Sequence, residues 1–196
     1  MRWTRVTAAG VLLAGAIAAQ EWEIDSAHSS VQFAVRHMMV ATVRGQFGKL
    51  TGKVRWDPAK PSEARVEAQV EVGSIDTREP KRDAHLRSPD FFDAEKFPTM
   101  TFRSTSVTPV GPGRYRLSGD LTIRGITRPV VFEVEGPGQP VRGMGGELRT
   151  GATATAKINR KDFGITWNRV LDTGGVAIGE DVAITVDVAL VQKTAR

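Results

Sequence analysis

The chain has 196 residues and no cysteine, and Lys and Arg outnumber Asp and Glu by 27 to 22. The absence of cysteine excludes disulfides and an amino terminus lipidated in the manner of bacterial lipoproteins. Basic residues are interspersed with acidic ones and form no stripe of the kind that follows phosphates, so the net charge of +5 predicts a solvated surface and no nucleic-acid partner.

The first residues have the pattern of a cleavable secretory signal peptide, which we assign to residues 1–18. Arg2 and Arg5 give a positive start, and the apolar run that follows is shorter than the roughly 20 residues needed to cross a bilayer. Ala16 and Ala18 occupy the small-residue positions of an Ala-x-Ala cleavage site. The sequence therefore predicts an exported protein, and the alternative of a retained membrane anchor is disfavoured by length.

After this segment, apolar and polar residues alternate with a period of two, which is typical of β-strands with one buried face. The alternation is clean at 30–37, 63–72 and 180–191. Six further strands are predicted between them, at 43–47, 50–56, 100–108, 114–123, 129–135 and 147–158. Turns rich in Gly and Pro separate the strands, and no linker or internal repeat is visible, so residues 19–196 are predicted to form one domain.

Many closely spaced strands indicate an antiparallel sandwich or barrel, and closure into a barrel leaves no unpaired sheet edge. We predict an all-β fold with a short helical insertion, in which about eight strands surround an interior that is packed or holds one small ligand. Nine apolar strand residues are predicted to point inward: Val31, Phe33, Val35, Phe47, Phe102, Leu121, Ile123, Phe132 and Ile184.

Alternation alone does not decide whether the apolar face points inward or toward lipid. Transmembrane barrels carry girdles of aromatic residues at both membrane interfaces. This chain has a single Tyr, and three Trp remain after the predicted cleavage site. The composition therefore favours a barrel with an apolar interior, which does not span a membrane after signal cleavage.

Residues 78–102 interrupt the alternation with charges, prolines and phenylalanines. Pro80 suits the first turn of a helix, and Pro89 is predicted to end that helix. Phe91 and Phe92 follow on a short turn, and at least one of these rings is expected to cover the barrel. We interpret the segment as a lid over an apolar cavity, and a static plug of the barrel end is the alternative.

Four groups of motifs resemble the YceI-like family. They are Trp22-x-Ile24-Asp25-x-x-His28-Ser29 with the strand that follows, Arg82-Asp83-x-His85-Leu86-x-Ser88-x-Asp90-Phe91-Phe92-Asp93, Gly119-Asp120-Leu121-Thr122-Ile123 and Arg160-x-Asp162-Phe163-Gly164. They occur in family order and cover nearly all of the chain after residue 18. The resemblance implies an extended antiparallel lipocalin-like barrel in the bacterial periplasm or beyond, which binds a polyisoprenoid or similar amphiphile. The loop 136–146 departs from the family because it lacks the aromatic residues often found there.

The expected function is therefore storage or transport of a long-chain amphiphile, such as a polyisoprenoid, an isoprenoid quinone or a fatty-acid derivative, without catalysis. The predicted ligand-binding residues are Val31, Phe33, Val35, Phe47, Phe91, Phe92, Phe102, Leu121, Ile123 and Phe132. A headgroup at the mouth is expected to contact one or more of Arg36, Arg78, Arg82, Arg87 and Asp90.

No cofactor or metal is predicted, because His28, His37 and His85 lack the short spacings typical of zinc ligands. The alternative is an enzyme that acts on an isoprenoid or quinone headgroup through one of these histidines. The sequence leaves open whether the protein forms a homodimer.

Overall fold

The alternating segments form one antiparallel sheet that closes on itself in the computed structural model, which describes residues 20–171 and 175–192. The predicted signal peptide, residues 1–18, lies outside the described residues. Twelve strands are described: β1 (Gln20–Ile24), β2 (Ser30–His37), β3 (Ala41–Phe47), β4 (Leu50–Trp56), β5 (Arg65–Glu71), β6 (Ile75–Asp76), β7 (Thr99–Gly111), β8 (Arg114–Ile123), β9 (Ile126–Glu135), β10 (Val141–Arg142), β11 (Leu148–Asn159) and β12 (Ile178–Gln192).

Three pairs of these segments lie end to end and act as single bent strands. β1 and β2 both pair with β12, β3 and β4 pair with β2 and β1, and β5 and β6 pair with β4 and β3. Short 3-10 turns at Ser26–His28 and Val72–Ser74 make two of the bends. With β7, β8, β9, β11 and β12, the bent strands give a barrel of eight long strands, as the sequence predicts.

The barrel closes where β11 pairs with β12 along eleven consecutive residue pairs, from Arg149↔Val191 to Asn159↔Asp181. On its other side β11 pairs with β9 only over Thr153–Thr155, so the two strands diverge toward the end of β11. Because the ladder is otherwise continuous, nearly every strand has a hydrogen-bonded neighbour on both sides.

The outer face of the barrel is charged and the inner face is apolar. Cross-strand ion pairs on the outside join Glu67 to Arg103, Glu133 to Arg116 and Asp181 to Lys157. Such exposed pairs contribute little to stability. The fold is therefore held mainly by its hydrogen-bonded ladder and by burial of the apolar inner face.

The insertion contains one helix, α1 (Pro80–Arg87), which begins and ends as the sequence predicts. Pro80 is its first residue, and the Glu79 carboxylate caps it by accepting from the backbone N–H groups of Lys81 and Arg82. Ser88 caps its carboxyl end just before Pro89. Within the described residues, no helix has the length and apolar character needed to cross a membrane.

The prediction of one strand over 63–72 is wrong in extent, since β5 covers only Arg65–Glu71 between two 3-10 turns. Pro61 begins the first turn, and in the second Val72 and Ile75 are both buried, a spacing of three that breaks the period of two. The sequence reading also missed β1, β6 and β10, because strands of two to five residues are too short to show alternation.

The barrel has two unlike ends. The helical end carries the β2–β3 turn, α1, the β8–β9 turn and the loop residues 160–171 and 175–177. The far end carries the loops 57–64 and 136–147 and the β7–β8 turn.

Candidate ligand-binding cavity

A cavity of about 840 Å³ lies inside the barrel, and its lining includes residues from both ends. This volume is in the upper part of the roughly 300–1,000 Å³ range of small-molecule sites. Aliphatic and aromatic side chains make up most of the lining. The inner-face residues Val31, Phe33 and Val35 are only half-buried although they point away from the outer surface. The predicted hollow interior is therefore confirmed.

The ten residues predicted to bind a ligand all line this cavity: Val31, Phe33, Val35, Phe47, Phe91, Phe92, Phe102, Leu121, Ile123 and Phe132. Ile184, the remaining residue predicted to point inward, lines it as well. The period-two alternation thus assigned the inner face correctly. Contact of these side chains with a ligand stays a prediction.

Five phenylalanines of the lining contact one another in two groups. Phe47 touches Phe33 and Phe92, with ring centroids 5.7 and 5.6 Å apart, and Phe102 meets Phe132 edge-on at 5.3 Å. Phe33 and Phe102 lie directly over glycines of the neighbouring strands. A Cβ at Gly45 or Gly119 would come within 2.4 Å of the ring above it, so these glycines make room for the rings.

One side of α1 is tied to the chain just before it. The buried Asp83 carboxylate accepts from the Thr77 amide at 2.9 Å, and Arg82 donates to the Thr77 hydroxyl and carbonyl, each at 2.7 Å. Arg87 donates to the carbonyls of Gly73 and Ile75. These hydrogen bonds fix the helix to the β5–β6 bend.

The other side of the insertion packs on the loop after β11 through aromatic rings. His85 lies edge-on to Phe91 and to Trp167, with ring centroids 5.0 and 4.9 Å apart, and Phe91 lies 5.3 Å from Trp167. Phe91 is buried, whereas Phe92 is half-buried and turned toward Phe47. The two phenylalanines therefore have different roles, because Phe91 packs the insertion against the loop and Phe92 points toward the centre of the cavity.

The loop that carries Trp167 is held by a buried arginine. The Arg160 side chain is 5% exposed and donates to the carbonyls of Ile165, Trp167 and Gly179 at 2.7 to 2.9 Å. Burial lowers the pKa of its guanidinium from the ordinary value. Arg160 begins a 3-10 turn that ends at Gly164, which adopts the left-handed conformation with φ of +72°. The motif Arg160-x-Asp162-Phe163-Gly164 is thus a loop anchor beside the cavity.

Of the five residues proposed for a headgroup, Arg82 lines the cavity and the other four do not. Arg36 donates to the Met39 carbonyl and the Thr42 hydroxyl at the β2–β3 turn. Arg87 donates to a backbone carbonyl, and the Asp90 carboxylate lies 2.9 Å from the His85 ring nitrogen Nε2. Arg78 sits at a positive φ of 63° just before the helix. Contact of a headgroup with any of the five stays a prediction, and the side chains of Arg36, Arg87 and Asp90 are directed by the hydrogen bonds that they make.

Several lining residues had no signal in the alternation. Trp167, Arg169 and Leu171 lie in an irregular loop. Trp56 and Tyr115 do lie in phase with the inner residues of the strands predicted at 50–56 and 114–123, although they were not among the residues predicted to point inward, and they close the far end with ring centroids 5.1 Å apart. Gly136 and Pro137 show that the loop 136–146 borders the cavity despite having no aromatic residue. Only the motif at 160–164 pointed to any part of the irregular loop.

The three histidines do not converge. His37 and His85 line the cavity, whereas His28 lies outside it and bonds the Asp25 carboxylate at 2.8 Å. Arg149 also donates to Asp25 at 2.8 Å, and these hydrogen bonds lower the pKa of Asp25 to about 2. In residues 20–171 and 175–192, no group of three or more His, Asp or Glu side chains is arranged to hold a metal ion.

Comparison with known proteins gives consistent results. The family model described as a YceI-like domain matches residues 22–190. A UPF0312 protein of Staphylococcus aureus (strain N315) is 40% identical over 158 residues, which are 81% of this chain and 90% of the relative.

Solved structures share the fold. BcnA of Burkholderia cenocepacia aligns with a TM-score of 0.72 at 25% identity, over 85% of this chain and 98% of BcnA. The YCEI protein of Campylobacter jejuni gives a TM-score of 0.66 at 27% identity, over 81% and 90% of the two chains. A polyisoprenoid binding domain from Saccharophagus degradans gives 0.65 at 13% identity, over 89% and 99%, and at that identity the likeness shows the fold alone.

Proposed function

The chain belongs to the YceI-like family, and from this membership we propose that its barrel holds a polyisoprenoid or a similar long-chain amphiphile for storage or transport. The observation that carries the proposal is the apolar cavity of about 840 Å³. The domain from Saccharophagus degradans, which has the same fold, is named for polyisoprenoid binding and supports this choice of ligand class.

The energetics of a long apolar tail fit such a site. Burial of one CH₂ group contributes about 0.8 kcal/mol, so a five-carbon isoprene unit supplies roughly 3–4 kcal/mol before costs. Association costs on the order of 4–15 kcal/mol. A few units therefore break even and a longer tail binds well, so the depth of the barrel sets the preferred length.

We also propose export by the signal peptide at residues 1–18, on the strength of its positive start and its Ala-x-Ala site. In this proposal the protein acts in the periplasm or outside the cell and uses no cofactor.

Native mass spectrometry of protein purified from its own host, followed by organic extraction, tests the proposed function. We expect a bound amphiphile with a long hydrocarbon tail in the native spectrum and in the extract. Adding a prenol to the extracted protein should raise its Tm, because a ligand that binds only the folded state stabilises it by mass action. The proposal would be contradicted if protein purified from its host carries no bound lipid and its Tm does not change when prenols are added.

An enzyme acting on the headgroup is the second candidate, favoured by one observation. His85 lines the cavity and its Nε2 lies 2.9 Å from the Asp90 carboxylate, an arrangement that general bases use. Incubating the loaded protein and the His85→Ala and His37→Ala variants, and then analysing the extracted lipid, separates the two candidates. Conversion of the headgroup that is lost in either variant would establish catalysis.

A further inference from the structure

The β2–β3 turn and the neighbouring loop expose large apolar side chains at the helical end. Met38, Met39 and Val40 are 47%, 61% and 81% exposed, and Val170 is 82% exposed. The two segments are joined directly, because the Met38 amide donates to the Ala177 carbonyl at 2.7 Å and the Ala177 amide donates to the Arg169 carbonyl at 2.9 Å. We call these four side chains the apolar rim. Contiguous exposed apolar side chains of this kind typically mark an interaction site.

The backbone of the turn makes this exposure unusual. Met38 and Met39 both have positive φ, at 49° and 61°. They are the central residues of a turn closed by the hydrogen bond from the Val40 amide to the His37 carbonyl, and such positions favour Asn, Asp and Gly because other L-residues are strained there. The turn therefore carries long apolar side chains at a cost in local stability, and such departures concentrate at functional sites.

The apolar rim borders the opening of the cavity. Met38 and Val170 line the cavity and are exposed to solvent at the same time. At the far end, the lining residues Trp56, Tyr115 and Pro137 are all half-buried. The cavity is therefore more accessible beside the rim than at the opposite end.

Exposed cations flank the rim. Arg36 donates to the Met39 carbonyl at 2.7 Å and to the Thr42 hydroxyl, which holds its guanidinium beside the turn. Lys81 and Arg169 are exposed and line the cavity.

Three of the carboxylates described at this end have other partners. Glu79 caps α1, and Glu180 and Asp181 pair with Lys161 and Lys157. Arg36, Lys81 and Arg169 thus place three cations beside the apolar rim.

We propose that the apolar rim docks on the surface of an anionic lipid bilayer, so that the cavity opening faces the membrane. Apolar side chains at the boundary of the acyl chains combined with cations at the headgroups are the two elements of interfacial binding. Electrostatic attraction adds affinity for each Lys or Arg near an anionic surface. A second copy of this chain fits less well, because a symmetric contact would place Arg36 and Arg169 close to like charges.

Vesicle co-sedimentation of the full-length mature protein tests this docking. We expect binding to vesicles of phosphatidylcholine mixed with phosphatidylglycerol, weaker binding to phosphatidylcholine alone, and a loss of the difference at high salt. The Lys81→Gln and Arg169→Gln variants should each lose about fivefold in affinity for the anionic vesicles only.

The apolar contribution is tested by the triple variant Met39→Asn, Val40→Ser and Val170→Ser. Asn adopts the left-handed conformation readily, so the change at Met39 does not strain the turn. We expect a loss of at least tenfold in vesicle affinity, since binding scales with the apolar area inserted. The matched control is Val141→Ser with Met144→Ser, which removes two exposed apolar side chains at the far end and should change nothing.

Two measurements distinguish a failure of the membrane-docking proposal from a failure of the proposed ligand-binding function. The Met39→Asn, Val40→Ser double variant, whose two residues do not line the cavity, should also lose vesicle affinity, yet it should bind a soluble short-chain prenol as the parent does, which shows that the barrel is intact. A Val40→Trp variant should be quenched by brominated lipids, which reports insertion directly.

Equal vesicle binding by the parent and the triple variant would overturn the proposal. It would also be overturned if the rim mediates self-association, seen as a concentration-dependent dimer that the triple variant abolishes, without any vesicle binding by the parent.

Discussion

At the scale of single residues, Arg160 shows how one side chain shapes an irregular part of the site. Its guanidinium donates to carbonyls at Ile165, Trp167 and Gly179, which belong to both sides of the loop bordering the cavity. Because Trp167 packs on His85 and Phe91, the arginine also fixes the surface on which the insertion rests. A planar fork of donors suits this task, and an ammonium group does not.

Replacing Arg160 with Met should therefore lower the free energy of unfolding by roughly 2–4 kcal/mol, because several buried carbonyls lose their donors. Arg160→Lys should cost nearly as much although it keeps the charge. Urea denaturation measures both, with Arg128→Met as a control, since Arg128 is exposed and donates only to the adjacent Thr127 carbonyl. A Lys variant as stable as the parent would show that charge, and not the fork of hydrogen bonds, holds the loop.

Asp25 performs a comparable task on the outside of the barrel. It lies at the bend between β1 and β2, accepts from Ala27, His28 and Arg149, and so joins the bend to β11. The side-chain hydrogen bonds from His28 and Arg149 lower its pKa to about 2. A carboxyl group whose pKa is lower in the folded state stabilises the fold only where it is ionised.

The stabilisation from Asp25 should be fully present above pH 4, because its ordinary pKa is 3.8, and should disappear as the pH falls toward 2. The Asp25→Asn variant should thus be less stable than the parent at pH 6, and the two should converge near pH 2. Thermal unfolding monitored by circular dichroism across this range gives the comparison. Asp120→Asn, on the exposed face of β8, is the matched control and should not reproduce this convergence.

At the scale of elements, the insertion with α1 is attached in two unlike ways. Hydrogen bonds from Arg82, Asp83 and Arg87 bind the helix to the chain before it, whereas its contact with the loop after β11 consists of the rings of His85, Phe91 and Trp167. Ring contacts of this kind are worth about 0.5–1.5 kcal/mol each. Separation of the helix from the loop is thus the cheaper motion, and it would widen the opening beside the apolar rim.

We predict that Phe92→Ala speeds release of a bound prenol roughly three- to tenfold, because it removes the ring contact between the insertion and Phe47 inside the cavity. Phe91→Ala should instead lower the free energy of unfolding by about 3–5 kcal/mol, since Phe91 is buried. Displacement of a fluorescent prenol in a stopped-flow instrument measures the release rate.

The control for this comparison is Phe97→Ala. Phe97 belongs to the same insertion and is half-buried, but it packs on the β8–β9 turn at Gly125 and does not line the cavity. Release that is equally fast in the Phe97 and Phe92 variants would mean that the insertion acts as a static plug, loosened by any loss of packing.

At the scale of the whole molecule, the barrel encloses a cavity instead of a fully packed core. Its eight long strands are hydrogen-bonded in a ring, so the fold does not require a filled centre, and inner-face residues of β2 stay half-buried around the cavity. Small side chains contribute to this space. Ala152, Ala154 and Ala156 occupy successive inner positions of β11, and the first two line the cavity.

Ala152→Phe should shorten the cavity, because Ala152 lies near the far end beside Gly136. A ligand that loses one buried isoprene unit forfeits roughly 3–4 kcal/mol, so affinity for long prenols should fall at least tenfold while short prenols bind as before. Thr155→Phe, on the outer face of the same strand, is the matched control. Competition binding with prenols of graded length measures the effect, and equal losses at all lengths would contradict a limit set by depth.

The sequence by itself determined the longer strands and their inner face. Alternation is a local property, and each of Val31, Phe33, Val35, Phe102 and Phe132 lies within a strand long enough to show it. The ends of α1 were also predictable, because Pro80 and Pro89 act on the backbone next to them. The strands 30–37, 50–56 and 114–123 agree with β2, β4 and β8 at both ends.

Only the tertiary structure decided where the irregular segments meet. Trp167 and Arg169 reach the cavity because Arg160 folds their loop over it. Arg87 turns away from the cavity because it donates to the carbonyls of Gly73 and Ile75, which precede it by 14 and 12 residues. The joining of the Met38 turn to the Ala177 segment depends on residues far apart in the chain. Periodicity reports which face of a strand is buried, whereas contacts between loops depend on closure of the barrel, which no local pattern encodes.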